Sequence, residues 1–116
     1  TAEMIKYLTN AFLATKVSFA NEMKQLCDAF HIDYDKVIEY AQYDERLGSS
    51  HWAVPGPDGN LGFGGSCFPK DISALAYLAR NMQIDATVLE GAISTNLRVR
   101  PEQDWKKLKG RAVVND

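Results

Sequence analysis

AEMIKYLTNAFLATKVSFANEMKQLCDAF, residues 2–30, is the stretch that decides the fold. Met4, Ile5, Leu8, Phe12, Val17, Ala20, Met23, Leu26, Cys27 and Phe30 recur at three- and four-residue steps, and no Gly or Pro interrupts them. Apolar residues at that spacing share one face of an α-helix, so the stretch predicts one long amphipathic helix with this stripe as its packing face. Thr1 is placed to cap the helix and Glu3 to complement its dipole. At 1.5 Å per residue such a helix is about 43 Å long. A 100-residue globule is only roughly 26 Å across, taken as twice its radius of gyration. Part of the helix is therefore expected to pack against something outside its own domain.

Working outward, the pattern stays helical in shorter pieces. Asp33 predicts the N-cap of a second helix, Tyr34 to about Tyr43, with Val37, Ile38 and Ala41 facing inward. Pro69, a favoured first-turn residue, predicts the start of a third, with Ile72, Leu75, Ala76 and Ala79 on one face. Asp85 is placed to cap a fourth, whose stripe is Val88, Leu89, Ala92, Ile93 and Leu97. Pro101 opens a short fifth helix that Gly110 closes. Arg111-Ala112-Val113-Val114 is too short to be a sheet of its own and reads as the first strand of a further domain. The fold class is all-α. Residues 1–100 form one helical domain, and residues 101–116 a short helix and the start of another unit.

Between the second and third helices, residues 44–68 carry Gly48, Pro55, Gly56, Pro57, Gly59, Gly62, Gly64 and Gly65. A connection of about 25 residues is far longer than usual, and such loops are functional or disordered. Trp52, Val54, Leu61 and Phe63 supply apolar anchors, which favours an ordered, functional loop, with a tight turn at Pro57-Asp58-Gly59-Asn60.

The loop ends in Gly62-Phe63-Gly64-Gly65-Ser66-Cys67-Phe68-Pro69-Lys70-Asp71. Cys67 falls just before a helix start, where unpaired N–H groups and the macrodipole favour an anion, and Lys70 adds a positive charge nearby. Both influences lower a thiol pKa, and the thiolate is the reactive form. The glycines let backbone N–H groups approach a phosphate or a developing oxyanion. Asp71 is placed to hold or activate a water. A cysteine that merely fills space needs neither the glycines nor the Lys-Asp pair. The loop is not a P-loop, which ends in Gly-Lys-Ser/Thr.

Lys6 and Asn10, four residues apart, share a helix face and offer an ammonium and an amide to a carbonyl or alkoxide oxygen. By itself the pair is weak evidence, since exposed Lys/Asn pairs at this spacing are common and read first as a solvated face. Arg46, after Asp44-Glu45, can bind a phosphate bidentately or pair with a neighbouring acid. His31 and His51 have no partners at metal-ligand spacing and read as structural, and no Cys/His/Asp cluster suggests a metal.

Composition narrows the classes. A net charge of −2 argues against a nucleic-acid partner, and the Lys106, Lys107, Lys109, Arg111 cluster, diluted by Glu102, Asp104 and Asp116, reads as a solvated helix face. No apolar run approaches bilayer length and no signal-peptide pattern opens the chain, so no membrane partner is expected. Two cysteines are too few for a disulfide scaffold, and Cys27 reads as buried filler; a reducing cytoplasm suits both.

The residues from Gly62 to Asp71, with Ala2-Glu3, Lys6, Asn10, Asn21-Glu22 and Asp44-Glu45-Arg46-Leu47-Gly48, resemble the central domain of the UDP-glucose/GDP-mannose dehydrogenase family, from about Ala2 to Asn96. The resemblance implies a helical fold like the C-terminal domain of 6-phosphogluconate dehydrogenase and a homodimer through the long helix. It implies two successive NAD-dependent oxidations of a nucleotide-sugar C6 alcohol to a carboxylate. Cys67 then serves as nucleophile, Lys6 and Asn10 bind the reacting oxygen, and Asp71 assists proton and water chemistry. Gly62, Phe63 and Gly64 border the sugar, Cys67 and Lys70 border the nicotinamide cofactor, and Arg46 reaches the neighbouring subunit's substrate. The chain carries no Gly-x-Gly-x-x-Gly fingerprint after a strand, so NAD is expected to be held mainly by a domain this chain lacks. The Val54–Gly59 segment is longer than in some family members. Two other classes stay open: a helical dimerisation module without catalysis, and a thiol redox sensor, which would want a resolving cysteine near Cys67.

Overall fold

A computed structural model describes residues 1–107. Four α-helices run in chain order: α1 (Ala2–Ala29), α2 (Tyr34–Ala41), α3 (Cys67–Asn81) and α4 (Thr87–Val99), with single 3-10 turns at Glu45–Leu47 and Asp104–Lys107. No strand occurs among the described residues, so the all-α expectation holds. The expected fifth helix is the 3-10 turn at Asp104–Lys107. Gly110 and the strand at residues 111–114 lie outside the described residues.

α1 spans the long dimension of the molecule, 41 × 30 × 23 Å overall, as a 28-residue helix of about 42 Å must. Thr1 occupies its N-cap position, although its side chain makes no capping bond. The helix ends in a Schellman motif. His31 takes φ 58°, its N–H donates to Asp28 O at 3.1 Å, and the Ile32 N–H donates to Cys27 O at 2.8 Å. α3 ends the same way at Gln83 (φ 57°), with Ile84 N–H donating to Ala79 O at 2.9 Å.

The expected stripe of α1 divides. Ala20 is buried and Val17, Met23 and Cys27 pack against the cores, whereas Met4, Ile5, Leu8, Phe12, Leu26 and Phe30 are exposed, Phe12 by 63% and Phe30 by 69%. The other buried residues of the helix, Ala11, Ala14, Ser18 and Asn21, lie outside that stripe. Small side chains win the inward face because α3 and α4 lie close against α1. Ala11 and Ala14 sit in one cluster with Phe63, Ile72 and Ala92, flanked by Val17, Phe68 and Leu75. The buried Ser18 hydroxyl donates to Ala92 O at 2.7 Å and ties α1 to α4. Val37 on α2, Val88 and Leu97 on α4 are likewise exposed, against expectation. Asp33 does cap α2, accepting from Asp35 N–H at 3.0 Å, whereas Ala86 rather than Asp85 occupies the N-cap of α4.

The long loop is ordered around Trp52. The Trp52 indole donates to Gly48 O at 3.0 Å, its own carbonyl accepts from Tyr34 Oη at 2.6 Å, and Lys16 Nζ lies 4.9 Å over its ring. Lys16 also donates to Leu47 O at 2.8 Å. Ala20, Tyr34 and Val54 form a second small core, on which Cys27 packs half-buried. The tight turn is Gly56–Gly59, one residue earlier than the expected Pro57–Asn60, with the Gly59 N–H donating to Gly56 O at 2.9 Å.

Burial holds the proton on Tyr34 and pushes its pKa up from 10.0 to about 12. A raised acid binds its proton more tightly when folded, so this contribution is complete below pH 10 and is lost as the pH rises toward 12. The loop around Trp52 is expected to loosen in that window, read as a rise in tryptophan mobility by fluorescence anisotropy. Tyr34→Phe should remove the step, at a cost of about 1 kcal/mol for the lost hydrogen bond.

Candidate active site

α3 begins at Cys67, not at Pro69, with Ser66 as its N-cap. Cys67 is therefore the first residue inside the helix, and Pro69 is the third, where its missing N–H costs nothing because the first-turn donors have no intrahelical partner. Cys67 is exposed, with the Ser66 hydroxyl 3.8 Å from its sulfur. Lys70, in the same turn, is half-buried. The thiol thus sits on the positive end of a 15-residue helix.

One turn further, Asp71 is fully enclosed. Its Oδ2 accepts from Asn10 Nδ2 at 2.6 Å, joining α3 to α1. Its Oδ1 is buried with no hydrogen-bond partner among the described residues, an unusual state for a buried carboxylate oxygen. Asn10 and Asp71 are therefore brought together, with Cys67 one turn before Asp71. Lys6 lies one turn before Asn10 on α1 and is exposed.

The glycine loop is held from below by residues that sequence reasoning did not assign to the site. Asn96, buried on α4, clamps Phe63 at both backbone groups: its Oδ1 accepts from Phe63 N–H at 2.7 Å and its Nδ2 donates to Phe63 O at 3.0 Å. Asn21, buried on α1, accepts from Gly62 N–H at 3.0 Å. The N–H groups of Gly62 and Phe63 are thus committed to holding the loop. Gly62 has φ 68°, and a Cβ there would overlap Asn96 Oδ1, so only glycine fits. The available signal was a polar residue in the buried row of a helix, Asn96 four positions after Ala92. Asn21 had entered only through the family resemblance.

A cavity of about 540 Å³ opens beside this loop, walled by Gly62–Gly65, Phe68, His51 and Asp58. The His51 ring lies 5.6 Å from that of Phe68. The size suits a small-molecule site. Cys67 itself lies outside the lining, next to Phe68. Arg46 stands apart, 88% exposed, on the 3-10 turn that Asp44 caps. Asp44 grips it at Nε (2.9 Å) and Nη2 (2.6 Å), so the neighbouring-acid pairing is the one formed here. Among the described residues, no group of three metal-ligating side chains occurs, and no helix is long and apolar enough to cross a membrane.

Residues 1–98 match the family model for the UDP-glucose/GDP-mannose dehydrogenase family, central domain. The chain belongs to that family. Among similar curated proteins, the UDP-glucose 6-dehydrogenase of Rickettsia prowazekii (strain Madrid E) is 44% identical over 122 aligned positions, covering 98% of this chain and 27% of the relative. That of Rickettsia bellii (strain RML369-C) is 46% identical over 96 positions, covering 83% and 21%. The UDP-glucose 6-dehydrogenase YwqF of Bacillus subtilis (strain 168) is 43% identical over 96 positions, with the same coverage of 83% and 21%. The chain of this UDP-glucose/GDP-mannose dehydrogenase family member thus spans 21% to 27% of the length of these relatives.

Proposed function

We propose that the chain is the catalytic and dimerisation core of an NAD-dependent UDP-sugar 6-dehydrogenase that oxidises UDP-glucose. The observation that carries this reading is Cys67, exposed at the first position of α3 one turn from the Asn10–Asp71 pair, in a chain of this family. A soft nucleophile there retains an aldehyde and prepares it for a second oxidation.

The described residues are helices and turns without a strand, so a dinucleotide would be held by a sheet domain outside them. What this chain offers is a rim, Cys67 and Lys70 in the first turn of α3, which fits the edge of a cofactor. NAD, when bound, supplies the hydride acceptor for both oxidations. The remaining chemistry belongs to this chain. Lys6 and Asn10 donate hydrogen bonds to the C6 oxygen as it gains negative charge. The Cys67 thiolate adds to C6 of the aldehyde, forming a C–S bond while the carbonyl electron pair moves to oxygen. Loss of hydride from C6 of that thiohemiacetal leaves a thioester. Water then attacks C6 and gives one proton to Asp71, and the C–S bond breaks to release the thiolate and a carboxylic acid, which loses its remaining proton to solvent. Gly62, Phe63 and Gly64 shape the wall against the sugar.

The experiment is NADH formation from UDP-glucose by the full-length protein. Two NADH per sugar and a carboxylate product are expected. No NADH from any nucleotide sugar would overturn the reading.

The exposed stripe of α1 supports a second element of the proposal, a homodimer through that helix. Ile5, Leu8, Phe12, Phe19, Leu26 and Phe30 form one apolar row along it, more than a monomer usually leaves in water. In such a dimer Arg46, exposed on its turn, serves the neighbouring subunit's substrate. Phe12→Asp, which puts a charge in the middle of the row, is expected to weaken self-association by at least about a hundredfold. Light scattering measures this, and a parent protein that is strictly monomeric at high concentration would contradict it. A module that dimerises without catalysis remains the alternative and would show the same scattering with no NADH.

A further inference from the structure

Beneath the glycine loop a buried arginine holds two half-exposed carboxylates that the thiol chemistry does not use. Arg100 follows the last turn of α4 and is 1% exposed. Its Nε donates to Asp104 Oδ1 and its Nη2 to Asp104 Oδ2, both at 2.8 Å, a bidentate pair with a carboxylate four residues on. Nη2 also donates to Asp58 Oδ2 at 2.9 Å, and Nη1 to Leu61 O at 3.4 Å. Asp58 belongs to the turn at Gly56–Gly59, and Leu61 leads directly into Gly62. Gly64 rests on the guanidinium: a Cβ built there would overlap Nη2 and stand 2.7 Å from Cζ.

Charge counting separates two roles for this cluster. One buried cation needs one well-placed carboxylate, and Asp104 meets that need bidentately within the same segment. A residue that only stapled the chain after α4 would require nothing more. Asp58 comes from 42 positions earlier in the sequence and is half-exposed, and it brings with it the turn that walls the cavity. Leu61 O and Gly64 place the same guanidinium against both ends of the segment that presents Cys67.

We propose that Arg100 is a positioning residue for the Cys67 loop. Through Asp58 and Leu61 it fixes the 56–61 turn, and through its contact under Gly64 it fixes the backbone from Gly62 to Gly65. The inference concerns how the loop is held, and it stands whether or not the reaction at Cys67 is an oxidation.

The test is made on the full-length protein. Asp58→Ala leaves Asp104 on Arg100, so the global unfolding midpoint should not move. Amide exchange at Gly62–Gly65 should rise at least about tenfold. The iodoacetamide alkylation rate of Cys67 should change by about threefold or more. Asp58→Glu, which restores a carboxylate, should return both toward the parent values. Arg100→Lys keeps the charge but loses the planar fork, and should give both changes again. Asp58 Oδ1 also accepts from Asn60 N–H at 3.0 Å. If Arg100→Lys does not fold, Asp58→Asn therefore decides: it keeps an acceptor for Asn60 N–H and removes the charge that faces Arg100, and parent-like exchange and alkylation in it would overturn the proposal. Parent-like exchange and alkylation in Asp58→Ala would overturn the proposal and leave Arg100 as a staple of residues 100–104. Both readouts are blind to NADH, so failure of the dehydrogenase reading would show in the activity assay and leave these outcomes unaffected.

Discussion

Replacing Cys67 by serine is expected to lower carboxylate formation from UDP-glucose by at least about three orders of magnitude, with the protein still folded. The fold is spared because the side chain is exposed at the first position of α3, where serine is well tolerated and no core contact is lost. The chemistry is not spared. A serine hydroxyl stays protonated near neutral pH, and among the described residues no histidine or other base is hydrogen-bonded to this position; its side-chain neighbour is the Ser66 hydroxyl at 3.8 Å. In the proposed sequence of steps the first oxidation does not need the thiol, so aldehyde-level product is the expected residue of activity. Product analysis by mass spectrometry separates this from a general loss of substrate binding. Carboxylate formation at the parent rate would exclude Cys67 as the nucleophile.

Replacing Asn96 by alanine is expected to destabilise the protein by about 2–5 kcal/mol, the cost of leaving a buried N–H and a buried C=O of Phe63 without partners. Asn96 is 2% exposed and Phe63 is 5% exposed, so water cannot readily take over either bond. The same change should slow the reaction at Cys67, since Phe63 lies four residues before it. Asn96→Asp sharpens the test. It keeps an acceptor for Phe63 N–H but sets a carboxylate oxygen against Phe63 O, so it should be as damaging as alanine or worse. Urea denaturation measures both. A loss below about 0.5 kcal/mol in each, the range of an ordinary surface change, would contradict the clamp.

The elements of the fold were legible because their signals are local. The periodicity of residues 2–30, Asp33 before Tyr34, and Pro69 in a first turn each fix a helix within a few residues. What faces inward was less legible. On α1 the large apolar residues recur at helical spacing, yet Ala11 and Ala14, outside that row, take the core beside Ala20, because the size that suits close packing depends on what lies opposite. Periodicity identifies an apolar face without saying whether its partner is α3, α4 or another molecule.

The candidate site divides along the same line. Cys67 and Asp71 stand out because a glycine-rich loop, a helix start and a four-residue spacing are all written in one segment. Asn10 met Asp71 across 61 positions, and no local feature announced that bond. Asn96 and Arg100 were hidden for a different reason. A polar residue in a helix reads as solvent-facing unless the buried row is already known, and the row Ala92, Asn96, Arg100 becomes visible only once α4 lies against the loop. Arg46 remained open between two partners in the sequence. Asp44, two residues away, holds it in this chain.

The central claim is that Cys67 carries the sugar as a thioester between the second oxidation and hydrolysis. The most direct measurement uses Asp71→Asn, in which the group proposed to take the proton from the attacking water is neutralised. The full-length variant is given UDP-glucose and NAD, quenched in acid, digested and weighed peptide by peptide. The account predicts that the Cys67 peptide gains the mass of the oxidised nucleotide sugar, and that hydroxylamine removes it. Release of carboxylate product by this variant with the Cys67 peptide unmodified at every quench time, or the mass found on another residue, would contradict it.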